Sequence, residues 1–301
     1  MREKQLRRRA ELLREVRAFF DGRDFLEVET PLLIPSPGLD LHLQAFQVGT
    51  RYLSTSPEYQ MKRLLAEGYE RIYQITRAFR EGEFGSRHNP EFSMLEFYRA
   101  NAGVEDVMKD TEDLVEAVTG GEVVLGERRI STRAPFARMT VCEAFEAYAK
   151  VTPDETLEMA GSDEDRFFFT LIDQVEPRIA ELDHAVFLTE YPAPQASLAR
   201  KKASDPRVAE RFEAYVAGVE LCNGFGELTD PIEQRARFEQ DQRERKARGL
   251  PVYPIDERFL EALERGMPPS GGNAVGLDRL IAVASGTTEI RNVMAFADDE
   301  L

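Results

Sequence analysis

Residues 211 to 230, RFEAYVAGVELCNGFGELTD, place three glutamates seven apart, Glu213, Glu220 and Glu227, among apolar and aromatic neighbours. Phe212, Tyr215, Val216, Val219, Leu221, Phe225 and Leu228 favour strands, and Ala217-Gly218 supplies the turn of a β-hairpin between them. A carboxylate taken out of water costs several kcal/mol unless a cation or donor meets it. Three in one short hairpin therefore imply something cationic between the strands, a divalent metal, a ligand amine, or both. The alternative is that the glutamates lie on a solvated face, since structural ion pairs perturb carboxylates too.

The flanking sequence supplies more elements. Downstream, Asp230-Pro231-Ile232-Glu233 is a helix start, with a charged helix to Arg248, and Asp256 caps a further helix ending at Gly266. PPSGGNAVGLDRLIAVASG (268–286) predicts a glycine-rich strand turning at Gly276 into a helix that Gly286 ends. Upstream, AVFLTEYPAP is a strand closed by prolines, FFFTLIDQVEPRIA a buried helix, and Thr140 with Glu143 a capping box opening a helix over 141–149. A helical pattern covers 104–118, while 119–138 and 151–165 read as surface connections. Ile72 to Phe79 and Phe92 to Tyr98 are strand-like runs around a charged, Gly-containing loop. RYLSTSPEYQMKRLLAEG (51–68) joins a short strand to a helix with Pro57 and Glu58 in its first turn, a usable amine or anion site. Phe25 to Thr30 reads as a strand stopped by Pro31, and Leu6, Ala10, Leu13, Val16 and Phe20 mark a helix that Gly22 ends. Strands arriving as hairpins, with helices around them, predict an antiparallel sheet flanked by helices, an α+β fold.

Composition narrows the class. The chain has 301 residues, 42% of them hydrophobic, which suits a globular protein, and no apolar run approaches a membrane helix. Its N-terminus lacks a signal-type apolar core, so a cytoplasmic protein without a membrane partner is expected. Cys142 and Cys222 have neither zinc nor disulfide-framework spacing. A formal charge of -16 argues against gripping nucleic acid with the whole surface. The basic segment 2–17 is read as a solvated helix face laced with charge pairs. Neither GxGxxG nor GxxxxGK[ST] is present, so a nucleotide site would have to be built differently.

Three segments together resemble the signature motifs of class II aminoacyl-tRNA synthetases. They are a helix and strand ending at Pro31 (motif 1, about 12–31), the Arg80 hairpin with HNPEF (motif 2, about 72–98), and GLDR with Arg279 (motif 3, about 270–285). A mixed helical connection occupies about 103–185, and the whole of 1–301 reads as one catalytic domain. SPEY at 56–59 and ELCNGFGEL at 220–228 bring the resemblance to the lysyl branch. Motif 1 begins almost at residue 1, with no anticodon-binding domain before it, and Ala274 stands where lysyl-tRNA synthetases have glycine. Both features are similar to the shortened elongation factor P β-lysine ligase family.

That resemblance implies roles for particular residues. Arg80 would hold the substrate carboxylate and the α-phosphate of ATP, a task suited to a guanidinium fork. Phe92 and Arg279 would sandwich adenine, Arg279 also reaching the γ-phosphate, with Asn89, Leu221 and Gly276 nearby. Glu213 and Glu220 would hold Mg²⁺ between the phosphates. Glu227 and Tyr98 would take the distal ammonium of a lysine-like substrate, and Ser56, Pro57 and Glu58 would frame the amine nearer its carboxylate, with Ala274 beside them. The family usually has glutamate two residues after the motif 2 arginine. Here that place is Gly82, and Glu81 and Glu83 flank it. The implied activity is ATP-dependent activation of (R)-β-lysine and its transfer to a lysine side chain of elongation factor P, by a homodimer. The alternatives are a lysine-adenylating enzyme with another acceptor and a non-catalytic synthetase-like binding protein. The last would be expected to lose Arg80, Arg279 or a metal glutamate, and none is lost.

Overall fold

In the computed structural model, which describes residues 2–301, eight strands pair into one sheet. They are β1 (Leu26–Glu27), β2 (Arg71–Phe79), β3 (Glu91–Ala100), β4 (Ala137–Thr140), β5 (Val186–Thr189), β6 (Arg211–Val216), β7 (Val219–Gly226) and β8 (Ser270–Gly276). Across the sheet the order is β1-β2-β3-β8-β7-β6-β5-β4. The six inner strands are antiparallel, as expected. The two outer strands are not: β1 pairs β2 and β4 pairs β5 in parallel, so the sheet is mixed. Parallel neighbours need a long crossover, and residues 28–70 and 141–185 provide one at each edge.

The period of two along each strand divides the sheet into two faces. Leu95 of β3 faces Val275 of β8, which faces Cys222 of β7, which faces Ala214 of β6, and this row lies in one core. Helices α1 (Arg2–Asp21), α3 (Val104–Thr119) and α6 (Leu277–Ala284) cover it, after α2 (Glu58–Ala66) has crossed to the other face. The next row, Gln74, Glu96, Ala274, Asn223 and Glu213, points the opposite way. On that second face α2, α4 (Pro231–Ala247) and α5 (Glu257–Gly266) pack Tyr59, Leu65, Phe238 and Phe259 against Ile72, Tyr98 and Phe225. They cover only part of it, and the uncovered part is polar.

Several local expectations are corrected. Residues 119–138 contain a hairpin (122–125 with 128–131) and run into β4, which is an edge strand of the main sheet. Residues 153–162 form a helix opened by a reciprocal Thr152–Glu155 capping box. The first strand is only two residues long, because one neighbour holds it and Pro31 follows. On α1 the buried stripe is Leu12, Val16, Phe19 and Phe20, with Ala10 exposed. The helix is turned to bring Phe20 onto Tyr73 (ring centroids 4.5 Å, stacked) and against Phe25 and Phe97. The basic segment forms the expected surface pairs, such as Arg7 with Glu3 and Arg17 with Glu27. Arg9 departs from that pattern: it reaches inward to Asp278, 2.6 Å away, and joins α1 to α6.

The acidic hairpin forms as predicted. Ala217 (φ 55°) and Gly218 (φ 72°) both adopt the left-handed conformation, which matches the twist of the flanking strands. One irregularity decides its chemistry. Ala214 faces Cys222 but Tyr215 faces Glu220, leaving Leu221 as an extra residue, a β-bulge.

Candidate active site

In a regular strand, residues an odd number apart point to opposite faces, so Glu220 and Asn223, three apart, would be separated. The bulge at Leu221 reverses the alternation. Leu221 and Cys222 both enter the first core, and Glu220 joins Asn223 on the polar face. There the sheet floors a cleft of about 180 Å³. Ser56 and Glu58, at the start of α2, form part of its wall. Arg80, Glu83 and Asn89 reach it from the connection between β2 and β3, and Phe92 from the start of β3. Glu220, Leu221, Ala274, Gly276 and Arg279 complete it from β7, β8 and α6. The structure thus brings most of the implied residues together.

Three arginines line this cleft, Arg80, Arg87 and Arg279. Arg80 rests over the Phe92 ring, 5.1 Å from its centroid, and lies 3.6 Å from Glu83. Of the two acids flanking Gly82, Glu83 is therefore the one turned inward, while Glu81 and Gly82 are exposed. Arg279 is fixed by its surroundings: Nε donates to the Arg87 carbonyl, Nη1 to the Glu220 carbonyl and carboxylate, and Nη2 lies 2.6 Å from His88 Nε2. Burial and the neighbouring Arg279 charge pull the His88 pKa down, so its neutral ring can accept that hydrogen bond. His88 therefore orients an arginine. Asn89 is engaged by the chain itself, donating to the Glu91 carbonyl and accepting from the Asp298 amide.

The acids divide into two groups. Glu213 takes three donors, Arg211 (2.7 Å), Tyr191 (2.5 Å) and Tyr215 (2.7 Å), and lies with Glu220 on a groove that continues from the cleft. Loss of bulk water and then the Glu213 charge raise the pKa of Glu220, whose carboxylate meets Arg279 at 3.3 Å. Glu176, missed in the sequence, stands near both and is pushed up to about 7 by burial and then by their charges. It directly follows a stretch of π-helix, 171–175, an irregularity frequent at functional sites. Among the described residues no group of three or more His, Cys, Asp or Glu is arranged to hold a metal alone.

The second group lies under the opposite end of the cleft. Glu96 is buried and accepts from Ser56 (2.8 Å) and Tyr98 (2.5 Å). Burial, then the Glu58 charge, push its pKa up to about 8. Glu227 and Tyr98 are also buried, below the floor and not lining the cleft. A Cβ at Gly272 would come within 2.2 Å of the Tyr98 ring and 2.5 Å of Glu227 Oε1, so only glycine permits this packing. The ammonium of Lys62 lies 2.5 Å from both Glu58 and Glu227. Glu227 thus already meets one cation, yet neither of its oxygens receives a well-directed hydrogen bond. Pro57 serves as the N-cap of α2 and projects Glu58 into the cleft. Glu96 and Lys62 were missed in the sequence. The alternation Phe92, Met94, Glu96, Tyr98 could have signalled the first, and the i,i+4 spacing from Glu58 the second.

This fold, with its cleft of arginines and acids on an antiparallel sheet interior, is that of a class II synthetase, and the chain belongs to the family of class II tRNA synthetases (D, K and N), whose profile matches residues 1–300. Within that family it is similar to curated proteins named "elongation factor P--(R)-beta-lysine ligase". The one from Enterobacter sp. is 43% identical, the match covering 98% of this chain and 95% of the relative. Those from Yersinia enterocolitica (43%; 97% and 94%) and Edwardsiella ictaluri (44%; 98% and 95%) match to a similar extent.

Proposed function

We propose that this protein uses ATP to activate (R)-β-lysine as an aminoacyl adenylate and transfers it to a lysine side chain of elongation factor P. The names and full-length similarity of the relatives support this reading. The structural observation that carries it is the sharing of one cleft by Arg80 and Arg279 with the amine-binding candidates Ser56 and Glu58.

In this reading Arg80 holds the substrate carboxylate beside the α-phosphate, and a carboxylate oxygen attacks phosphorus as pyrophosphate leaves. The acceptor amine then attacks the acyl carbon, and AMP leaves. Fixed guanidinium groups stabilise the developing charge without having to reorganise. No side-chain nucleophile is involved. Arg279, held by His88 and Glu220, contacts adenine and the γ-phosphate. Phe92 presents a ring to adenine, Glu83 reads its amino group, and Asn89, Leu221 and Gly276 border the nucleotide. Ser56 and Glu58 take the amine nearer the carboxylate; the pair implied for the distal one, Glu227 with Tyr98, lies sealed below the floor with Lys62 already on Glu227, so the floor would have to open for it to reach the substrate.

Magnesium fits the other end. Glu220 keeps unused lone pairs, and the Glu213 charge beside it favours a cation. Two carboxylates suit an ion that completes its shell with phosphate oxygens and water. When bound there it would neutralise phosphate charge.

The chain is read as one catalytic domain, working as a homodimer in the cytoplasm. No helix of the described residues is long and apolar enough to cross a membrane. Pyrophosphate exchange with (R)-β-lysine, α-lysine and aspartate in parallel, followed by transfer to elongation factor P, tests the function. Exchange with β-lysine above the other two, and acylation of the factor, are expected. Exchange with aspartate alone, or none with any of the three, would overturn the reading.

A further inference from the structure

Lys62 is a charge committed to the interior that the reaction does not use. Its side chain is wholly buried in α2, one turn after Glu58, and its ammonium is bracketed by the Tyr98 and Phe225 rings at 6.0 and 5.9 Å. Burial alone would lower its pKa, but the Glu227 and Glu58 charges outweigh that and raise it, so it stays an ammonium. Of its two partners, Glu227 is sealed from solvent, whereas Glu58 is partly exposed and lines the cleft. Glu96 adds a third carboxyl nearby, bonded to the same Ser56 hydroxyl whose oxygen caps the Glu58 amide. Without a cation among them, these groups would repel Glu58 toward water.

We propose that Lys62 is a positioning residue of the amine pocket: clamped between Glu58 and Glu227, its ammonium holds the Glu58 carboxylate in the cleft wall for the amino-acid substrate. Lys62 itself touches no reacting atom. It also offsets the Glu58 and Glu227 charges that flank it. A purely structural role, in which Lys62 only ties α2 to the chain after β7, predicts different kinetics.

This inference rests on the ligase reading, and exchange by the parent enzyme with β-lysine decides that reading before any variant is measured. In Lys62→Met, the KM for β-lysine is expected to rise about tenfold or more while that for ATP changes by less than about twofold. The acid limb of kcat/KM for β-lysine should move up, because the Lys62 charge that lowers the Glu96 and Glu227 pKa values is gone. Lys62→Arg keeps the charge and serves if the methionine variant does not fold. Its planar fork cannot reproduce the two-sided contact, so a raised β-lysine KM with an unchanged acid limb and ATP KM is expected. The proposal is overturned if the KM values for β-lysine and ATP rise together in the variant that folds. It is equally overturned if that variant keeps the parental KM for β-lysine.

Discussion

Glu96 shows how far one buried carboxyl can tie ligand binding to pH. With its pKa pushed up to about 8, it is mostly neutral at pH 7 in the free protein. A substrate ammonium beside it favours the ionised form, so binding should expel a proton, and affinity should climb as pH rises toward about 8 and then level off. Calorimetry of β-lysine binding in buffers of different ionisation enthalpy measures that proton. No proton release between pH 6.5 and 7.5 would place Glu96 outside the amine pocket. Ala274 gives a second test at this scale. Strand register sets it between Glu96 and Asn223 on the same face, where its methyl limits how deeply a substrate chain sits. Ala274→Gly should shift preference toward α-lysine with little change in ATP use, by the roughly 1–3 kcal/mol that a single methyl can discriminate. Parallel exchange assays with both amino acids read the ratio, and an unchanged ratio would reduce Ala274 to packing. The sequence revealed the identities of these residues more easily than their relations: nothing in it singled out Lys62, and only the packing of α2 shows it between two carboxylates.

At the scale of elements, the hairpin of β6 and β7 was legible because turn residues and alternation agree with the global fold. Its bulge was not. Whether Leu221 is an extra residue depends on which residues of β6 lie opposite, and single-strand periodicity cannot report that. β4 was missed for a similar reason: four residues at a sheet edge, only partly buried, carry little alternation. The helix at 153–162 did announce itself, through the Thr152-x-x-Glu155 box, and proline and glycine there pulled the reading toward turns. The hairpin turn makes a concrete stability prediction. Gly218 has φ +72°, and a Cβ there would come within 2.3 Å of the Ala180 Cβ. Gly218→Ala combines backbone strain with overpacking and should cost roughly 2–4 kcal/mol in denaturant unfolding. A loss under 0.5 kcal/mol would mean that the segment around Ala180 yields freely.

For the molecule as a whole, the motif 1 region leaves apolar surface uncovered: Leu26 (51% exposed), Leu33 (41%) and Val48 (48%). Their neighbourhood along residues 26–48, with Leu32 also exposed, marks a face suited to a twofold partner, since an isologous contact buries the same patch twice. Sedimentation at micromolar concentration should show a dimer, and Leu33→Glu with Val48→Glu should yield a folded monomer. A parent protein that sediments as a monomer would leave those side chains as ordinary exposed residues. The formal charge of -16 gives the assay a control, because dimers held by apolar contact should persist as salt is raised.

The bulge at Leu221 bears on any attempt to move this site into another protein. An insertion of one residue is the smallest edit that exchanges the inside and outside of a strand. Here that edit exists only as a mismatch in length between β6 and β7. Residues 219–227 grafted alone onto a strand of regular partners would carry every side chain of the site and still deliver Glu220 to the wrong side of the sheet. The transferable unit is the pair of strands with its turn, and a designer who counts residues on one strand will not see why.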